Sequence, residues 1–171
     1  MLTIDDILRR NLEQCAEEIR QAIEASGQRA SGRTQDSIRV EVDEGTGTVY
    51  GRQAFGTLEQ GRKPGKTPRG FVSIIRQWMQ DKGISARPVP YVRQASERWQ
   101  PKYTAEERGY LQMAGAIAYK IRAEGTRLYR AGGREDVYTP AIEACISRIK
   151  AEMAGLYQEE VLNDLRTIKN A

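Results

Sequence analysis

The sequence contains no histidine. That removes the commonest general acid–base and the commonest metal ligand from any catalytic scheme. Only two cysteines are present, Cys15 and Cys145. Two thiolates alone do not complete a tetrahedral zinc site. Each falls at an apolar position of a helical pattern, which favours buried free thiols and a reducing compartment, with a disulfide left open. Long apolar runs are also missing: no segment reaches the roughly 18–20 residues that span a bilayer. The acidic start Thr3-Ile4-Asp5-Asp6 has neither the basic nor the apolar region of a secretion signal. The expectation is a protein made and kept in the cytoplasm of its producing cell. Apolar residues make up 39% of the chain, below the usual share for a globular domain. A core can form, but a thin one, and contacts between subunits are expected to complete the burial.

Charge of one sign is not in large excess. The net charge is +4, from 27 basic and 23 acidic residues. This is far from a polybasic protein, so the distribution of charge matters more than its total.

Periodicity supplies the elements. Ile4, Ile7, Leu8, Leu12, Cys15, Ile19 and Ile23 recur at steps of three and four, which predicts an amphipathic helix over 4–25. Thr3 is its expected N-cap, and Asp5 and Asp6 suit its first turn. After a polar loop, Ile38, Val40 and Val42 alternate with charged residues and predict a strand. Glu44-Gly45-Thr46-Gly47 reads as a hairpin connection, and 48–55 as the returning strand. Residues 56–69 read as an irregular loop. Phe71, Val72, Ile75 and Met79 predict a helix over 70–82. Pro88, Pro90 and Pro101 keep 84–103 extended or only briefly helical. Leu111, Ala114, Ala118, Ile121 and Leu128 predict one helix over 104–130, capped by Thr104. Gly132-Gly133 breaks the chain. Thr139-Pro140 predicts a last helix with Thr139 as N-cap, continuing to Ile168. The fold class is therefore α+β: an N-terminal amphipathic helix on a small antiparallel, hairpin-centred sheet, with long C-terminal helices. Residues 1-131 are expected to form the α+β domain, and 132-171 a helical extension of the same compact unit.

Catalytic motifs fail on inspection. Gly65-Lys66-Thr67 invites a phosphate-loop reading, but the glycine required five residues earlier is Gln60. Pro68 also pushes Thr67 away from helical geometry, where a phosphate loop must enter its helix. The acidic pairs Asp5/Asp6, Glu17/Glu18, Glu106/Glu107 and Glu159/Glu160 lie in predicted helices. Adjacent helical residues point about 100° apart, so these pairs do not converge on one metal or proton. No serine has a histidine partner, and no glycine-flanked serine suggests a lysine dyad. Trp78, Trp99 and Tyr103 are expected to pack in the core rather than form a base-stacking platform. No catalytic or metal-binding residue and no cofactor is expected.

The most informative segment is basic. Arg62, Lys63, Lys66 and Arg69 lie within eight residues with no acid among them. Such a loop can neutralise phosphate, dock on an acidic protein surface, or stay solvated; the expectation is that residues 60–69 form an exposed loop at a subunit or partner interface. The mutual repulsion of its cations predicts mobility when it is free.

Just before and within that loop stands Leu58-Glu59-Gln60-Gly61-Arg62-Lys63-Pro64. It matches an "L-E-x-G-R-x-P" step through Leu58, Glu59, Gly61, Arg62 and Pro64. Upstream, Gly32, Thr34, Ser37 and Ile38 match a "T-G-x-L-x-x-S-I" step into a first strand. Downstream, Ile117 to Thr126 ends a helix in Gly-Thr. In this order, over roughly residues 1–130, the chain resembles the neck or tail-completion (head–tail joining) proteins of tailed bacteriophages. The Thr139–Ile168 helix is longer than a minimal member has. The resemblance implies a ring-forming virion component between portal connector and tail, needing no cofactor. Its partners would be copies of itself, other connector and tail proteins and, non-specifically, packaged DNA; a membrane would not be one. The alternative is a nucleic-acid-binding module that uses the basic loop 61-69.

On this reading, purified protein incubated with magnesium or manganese leaves plasmid DNA intact. Metal-dependent cleavage that co-purifies with the chain would contradict it.

Overall fold

A computed structural model describes residues 3–91 and 101–169 of the chain. In order, its elements are α1 (Ile4–Ala25), β1 (Arg39–Asp43), β2 (Thr46–Tyr50), α2 (Thr57–Gln60), α3 (Phe71–Asp81), α4 (Ala105–Glu124), α5 (Arg127–Arg130) and α6 (Thr139–Lys169). The α+β class is as expected, with one two-stranded antiparallel sheet. Among the described residues no helix is long and apolar enough to cross a membrane.

The chain divides into two units. The first joins residues 1–59 to 134–171, and the second comprises 60–133. The sequence boundary between 131 and 132 lies close to the second junction. The first junction, between 59 and 60, has no counterpart in that expectation.

In the first unit, α1 begins in a reciprocal capping box. The Asp6 amide donates to Thr3 Oγ1 (3.1 Å), and the Thr3 amide donates to Asp6 Oδ2 (3.0 Å). Two of the helix's orphan donors are thereby satisfied. The buried face of α1 presents Cys15, Ala16, Ile19 and Ile23 to Ile38, Val137 and Cys145. Val40 and Val49, directly opposite each other in the hairpin, pack against the same cluster. α6 packs along α1, and three contacts tie the two helices. Asn11 Nδ2 donates to Glu152 Oε2 (3.2 Å), Cys15 Sγ to the Ala141 carbonyl (3.6 Å), and Arg148 pairs with Glu18 (3.1 Å). Both cysteines are buried free thiols. Burial, reinforced by the neighbouring Cys145, pushes the Cys15 thiol up to about 12, so it stays protonated.

In the second unit, Ile75 and Met79 of α3 pack on Ala114 and Ala118 of α4, with Phe71, Ile84, Tyr110, Ile117 and Ile121 around them. The small residues on α4 let the two helices approach closely.

Five details differ from the sequence reading. The hairpin turn is Glu44-Gly45 alone, because Thr46 and Gly47 are already paired with Asp43 and Val42 in β2. The returning strand ends at Tyr50 rather than Phe55; residues 51–56 turn, and the Phe55 ring stacks on Tyr138 at 5.0 Å between centroids. Residues 57–60 form a short helix inside the segment read as irregular. The 104–130 helix breaks at Gly125 and resumes as α5. Trp78 and Tyr103 are each 39% exposed rather than core residues. Trp99 lies outside the described residues.

Ile19 is 2% exposed, and its burial is worth about 1.5–3 kcal/mol. Ile19→Asp places a carboxylate with no partner in that cluster and is expected to abolish soluble folding, whereas Ile19→Val loses about 1 kcal/mol. An Ile19→Asp protein with the parent melting curve would show the cluster is not the core.

Candidate functional site

The run Leu58–Pro64 divides into two pieces of local chemistry. In the first unit, Leu58 packs half-buried against the main cluster, and its carbonyl accepts from Gln28 Nε2 (2.9 Å). The Glu59 side chain is 3% exposed. Its Oε1 accepts from the amides of Val137 (2.8 Å), Tyr138 (2.6 Å) and Thr139 (3.0 Å), and its Oε2 from the Thr139 hydroxyl (2.6 Å). Val137 and Tyr138 lead into α6 and Thr139 is its first residue; there unpaired amides and the helix dipole favour a negative charge. Glu59 is thus the cap of α6. Thr139, the N-cap expected from sequence, donates to that cap instead of supplying it. Burial alone would raise the Glu59 carboxyl, but the Thr139 hydroxyl and the three amides outweigh it and hold the group below its ordinary value. The Glu59 carbonyl also accepts the Arg134 amide (2.9 Å). The chain therefore leaves the first unit and re-enters it at hydrogen-bonded neighbours.

In the second unit, the basic loop is strapped to the end of α4. The Arg62 amide donates to Thr126 Oγ1 (2.9 Å), the Thr126 amide donates to the Arg62 carbonyl (2.9 Å), and the Gly65 amide donates to the Arg122 carbonyl (2.9 Å). The loop backbone thereby satisfies a carbonyl that the end of α4 leaves unpaired. Two glycines permit the crossing. At Gly61 (φ +68°) a Cβ would sit 2.5 Å from the Tyr129 amide nitrogen. At Gly125 (φ +80°) it would sit 2.7 Å from the Arg62 carbonyl oxygen and 3.1 Å from the Pro64 ring. No side chain fits at either place, and both positive φ values favour glycine. The Thr126 hydroxyl also accepts the Tyr129 amide and caps α5. The expected mobile loop is therefore held at Arg62 and Gly65.

The four loop cations do not share one role. Arg62 is half-buried: its Nη2 donates to the Lys66 carbonyl (2.8 Å) and its guanidinium lies over the Phe71 ring, 5.3 Å from the centroid. Lys63, Lys66 and Arg69 are exposed. The strap also brings in cations the sequence reading did not group with them. Arg122 supplies the carbonyl that Gly65 meets, and Arg127 and Arg130 follow Thr126 on α5. All three are exposed, and Arg130 is paired to Glu124 (2.6 Å). The only signal in the sequence was the Gly125-Thr126 step, which named no partner. Among the described residues, no group of three or more acidic or cysteine side chains could hold a metal ion.

Comparison with protein-family models, with curated proteins and with solved structures returns no match for this chain.

Glu59→Ala leaves buried amides without an acceptor and is expected to cost about 3 kcal/mol in urea or thermal unfolding. Because the folded carboxyl is held below its unfolded value, its contribution is fully present above the ordinary glutamate range of about 4.3 and disappears as pH falls through the folded value. The difference in stability between the parent and Glu59→Ala should therefore narrow on acidification. A difference independent of pH would show that the charge of Glu59 plays no part.

Proposed function

We propose that this chain is a structural assembly protein without catalytic activity: a component of the neck or head–tail connector of a tailed bacteriophage. It forms or joins a ring between the portal connector and the tail. It is made in the cytoplasm of the infected bacterium and ends in the virion, with connector and tail proteins as neighbours. The "L-E-x-G-R-x-P" run and the Gly-Thr step support this reading, because they interlock physically rather than lining a pocket.

The observation that carries an assembly role is a second apolar face on α6. One face of that helix, through Ala141, Cys145, Arg148 and Glu152, meets α1. Tyr157, Val161, Leu165 and Ile168 follow at steps of four, four and three. At about 100° per residue they form a stripe roughly half a turn from the face on α1. They are 54%, 57%, 56% and 72% exposed. Isolated exposed apolar residues are ordinary, but a continuous stripe marks a surface that another protein covers. It also fits the thin core, since subunit contact would complete the burial.

The rival reading, a nucleic-acid-binding module using the basic loop 61-69, is favoured by the exposure of Lys63, Lys66 and Arg69. Mass separates the two. Light scattering should show a multiple of 19.3 kDa for the parent, and a monomer with unchanged circular dichroism for Val161→Asp/Leu165→Asp. A parent protein that stays monomeric at tens of micromolar, or a double variant with the parent's mass, would count against assembly through α6 and leave the module reading.

A further inference from the structure

The chain's mild net charge conceals a strong segregation. Residues 60–133 carry fifteen Lys and Arg against five Asp and Glu, whereas the rest of the chain carries twelve against eighteen. The net positive charge thus lies in the second unit, at +10 against −6 for the rest, and the strap concentrates part of it. Lys63, Lys66 and Arg69 come from the loop, and Arg122, Arg127 and Arg130 from the end of α4 and from α5. The backbone bonds Gly65–Arg122 and Arg62–Thr126, each 2.9 Å, hold the two segments together. Glu124 is the one acid in the α4–α5 segment from Arg122 to Arg130, and it is paired to Arg130.

We propose that this composite basic patch binds the phosphodiester backbone of double-stranded DNA without reading its bases. Three observations favour phosphate over an acidic protein surface. The exposed loop contributes lysine, which is depleted in protein interfaces but serves well as a point charge for phosphate. The patch belongs to a unit with three basic residues for each acidic one, and long-range attraction of a polyanion depends on that excess. The loop backbone is already fixed by its bonds to α4, so binding costs little ordering of the main chain. The chemistry is opposite to that of the α6 stripe, whose tyrosine, valine, leucine and isoleucine suit a protein neighbour. The patch deepens the assembly reading by naming DNA as a direct ligand, and rests on that reading only for the source of the DNA.

The test is binding of the full-length protein to a random-sequence DNA duplex across a salt series. The parent should bind at low salt, with affinity falling on a log–log slope on the order of −5, as six cations with about −0.9 per phosphate contact imply. Lys63→Glu/Lys66→Glu and Arg127→Glu/Arg130→Glu should each weaken binding at least tenfold and flatten the slope by about 2, with circular dichroism unchanged. Unlabelled duplex should compete far better than polyglutamate of equal charge. Absence of binding at low salt, parent-like binding by the Arg127/Arg130 variant, or equal competition by polyglutamate would each overturn the proposal. Failure of the assembly reading is seen separately, in the mass of the parent without DNA.

Discussion

The Glu59 carboxylate meets three consecutive amides and a hydroxyl at the start of a 31-residue helix. A buried carboxylate is costly unless its lone pairs are satisfied. Here the satisfying groups are the donors that the helix would otherwise leave orphaned. One contact therefore resolves two problems, and it fixes where α6 begins. That start sets the register of α6 on α1, which puts Cys145 beside the Asn11 carbonyl and Glu152 beside Asn11. The same register decides which face of α6 is left outward. Through its own carbonyl, Glu59 also holds Arg134, so the exit and return of the basic unit are tied to that residue.

Much of the fold was legible because it follows from local pattern. α1 runs from Ile4 to Ala25, the limits set by its apolar spacing, by Thr3 and by Gly27. The hairpin follows the alternation of β1, but its register was not legible: the turn is Glu44-Gly45 alone, so Val40 pairs with Val49. The parts that were not legible depend on distant partners. Leu128 keeps helical spacing with Ile121, which carried the expected helix past the local stop signal at Gly125-Thr126. It stops because Gly125 leaves helical geometry (φ +80°, ψ 179°), at a place where the Arg62 carbonyl leaves no room for a side chain. Glu59 resembles any polar residue entering a loop, and the amides it caps lie 78 to 80 residues away. The loop cations were visible in sequence, but their division was not. Arg62 turns inward because Phe71 and the Lys66 carbonyl offer it partners, and Arg122, Arg127 and Arg130 join the patch only through the strap.

The two units carry surfaces of opposite character. The first is acidic overall and offers a stripe of large apolar side chains, the chemistry of a dry protein contact. The second is basic and offers lysine and arginine on a braced backbone, the chemistry of a wet contact with a polyanion. A segregation of this kind lets each surface change without disturbing the other. The motif residues Glu59, Gly61 and Pro64 lie at the backbone crossings from which those surfaces project.

The dependence on Glu59 is tested most directly by following the backbone amide protons of Val137, Tyr138 and Thr139 by NMR during an acid titration. If one carboxylate accepts all three, their shifts move together with a single inflection below the ordinary glutamate range. Three independent inflections, or one shared inflection at or above the ordinary glutamate value, would contradict the claim that this carboxylate fixes the start of α6.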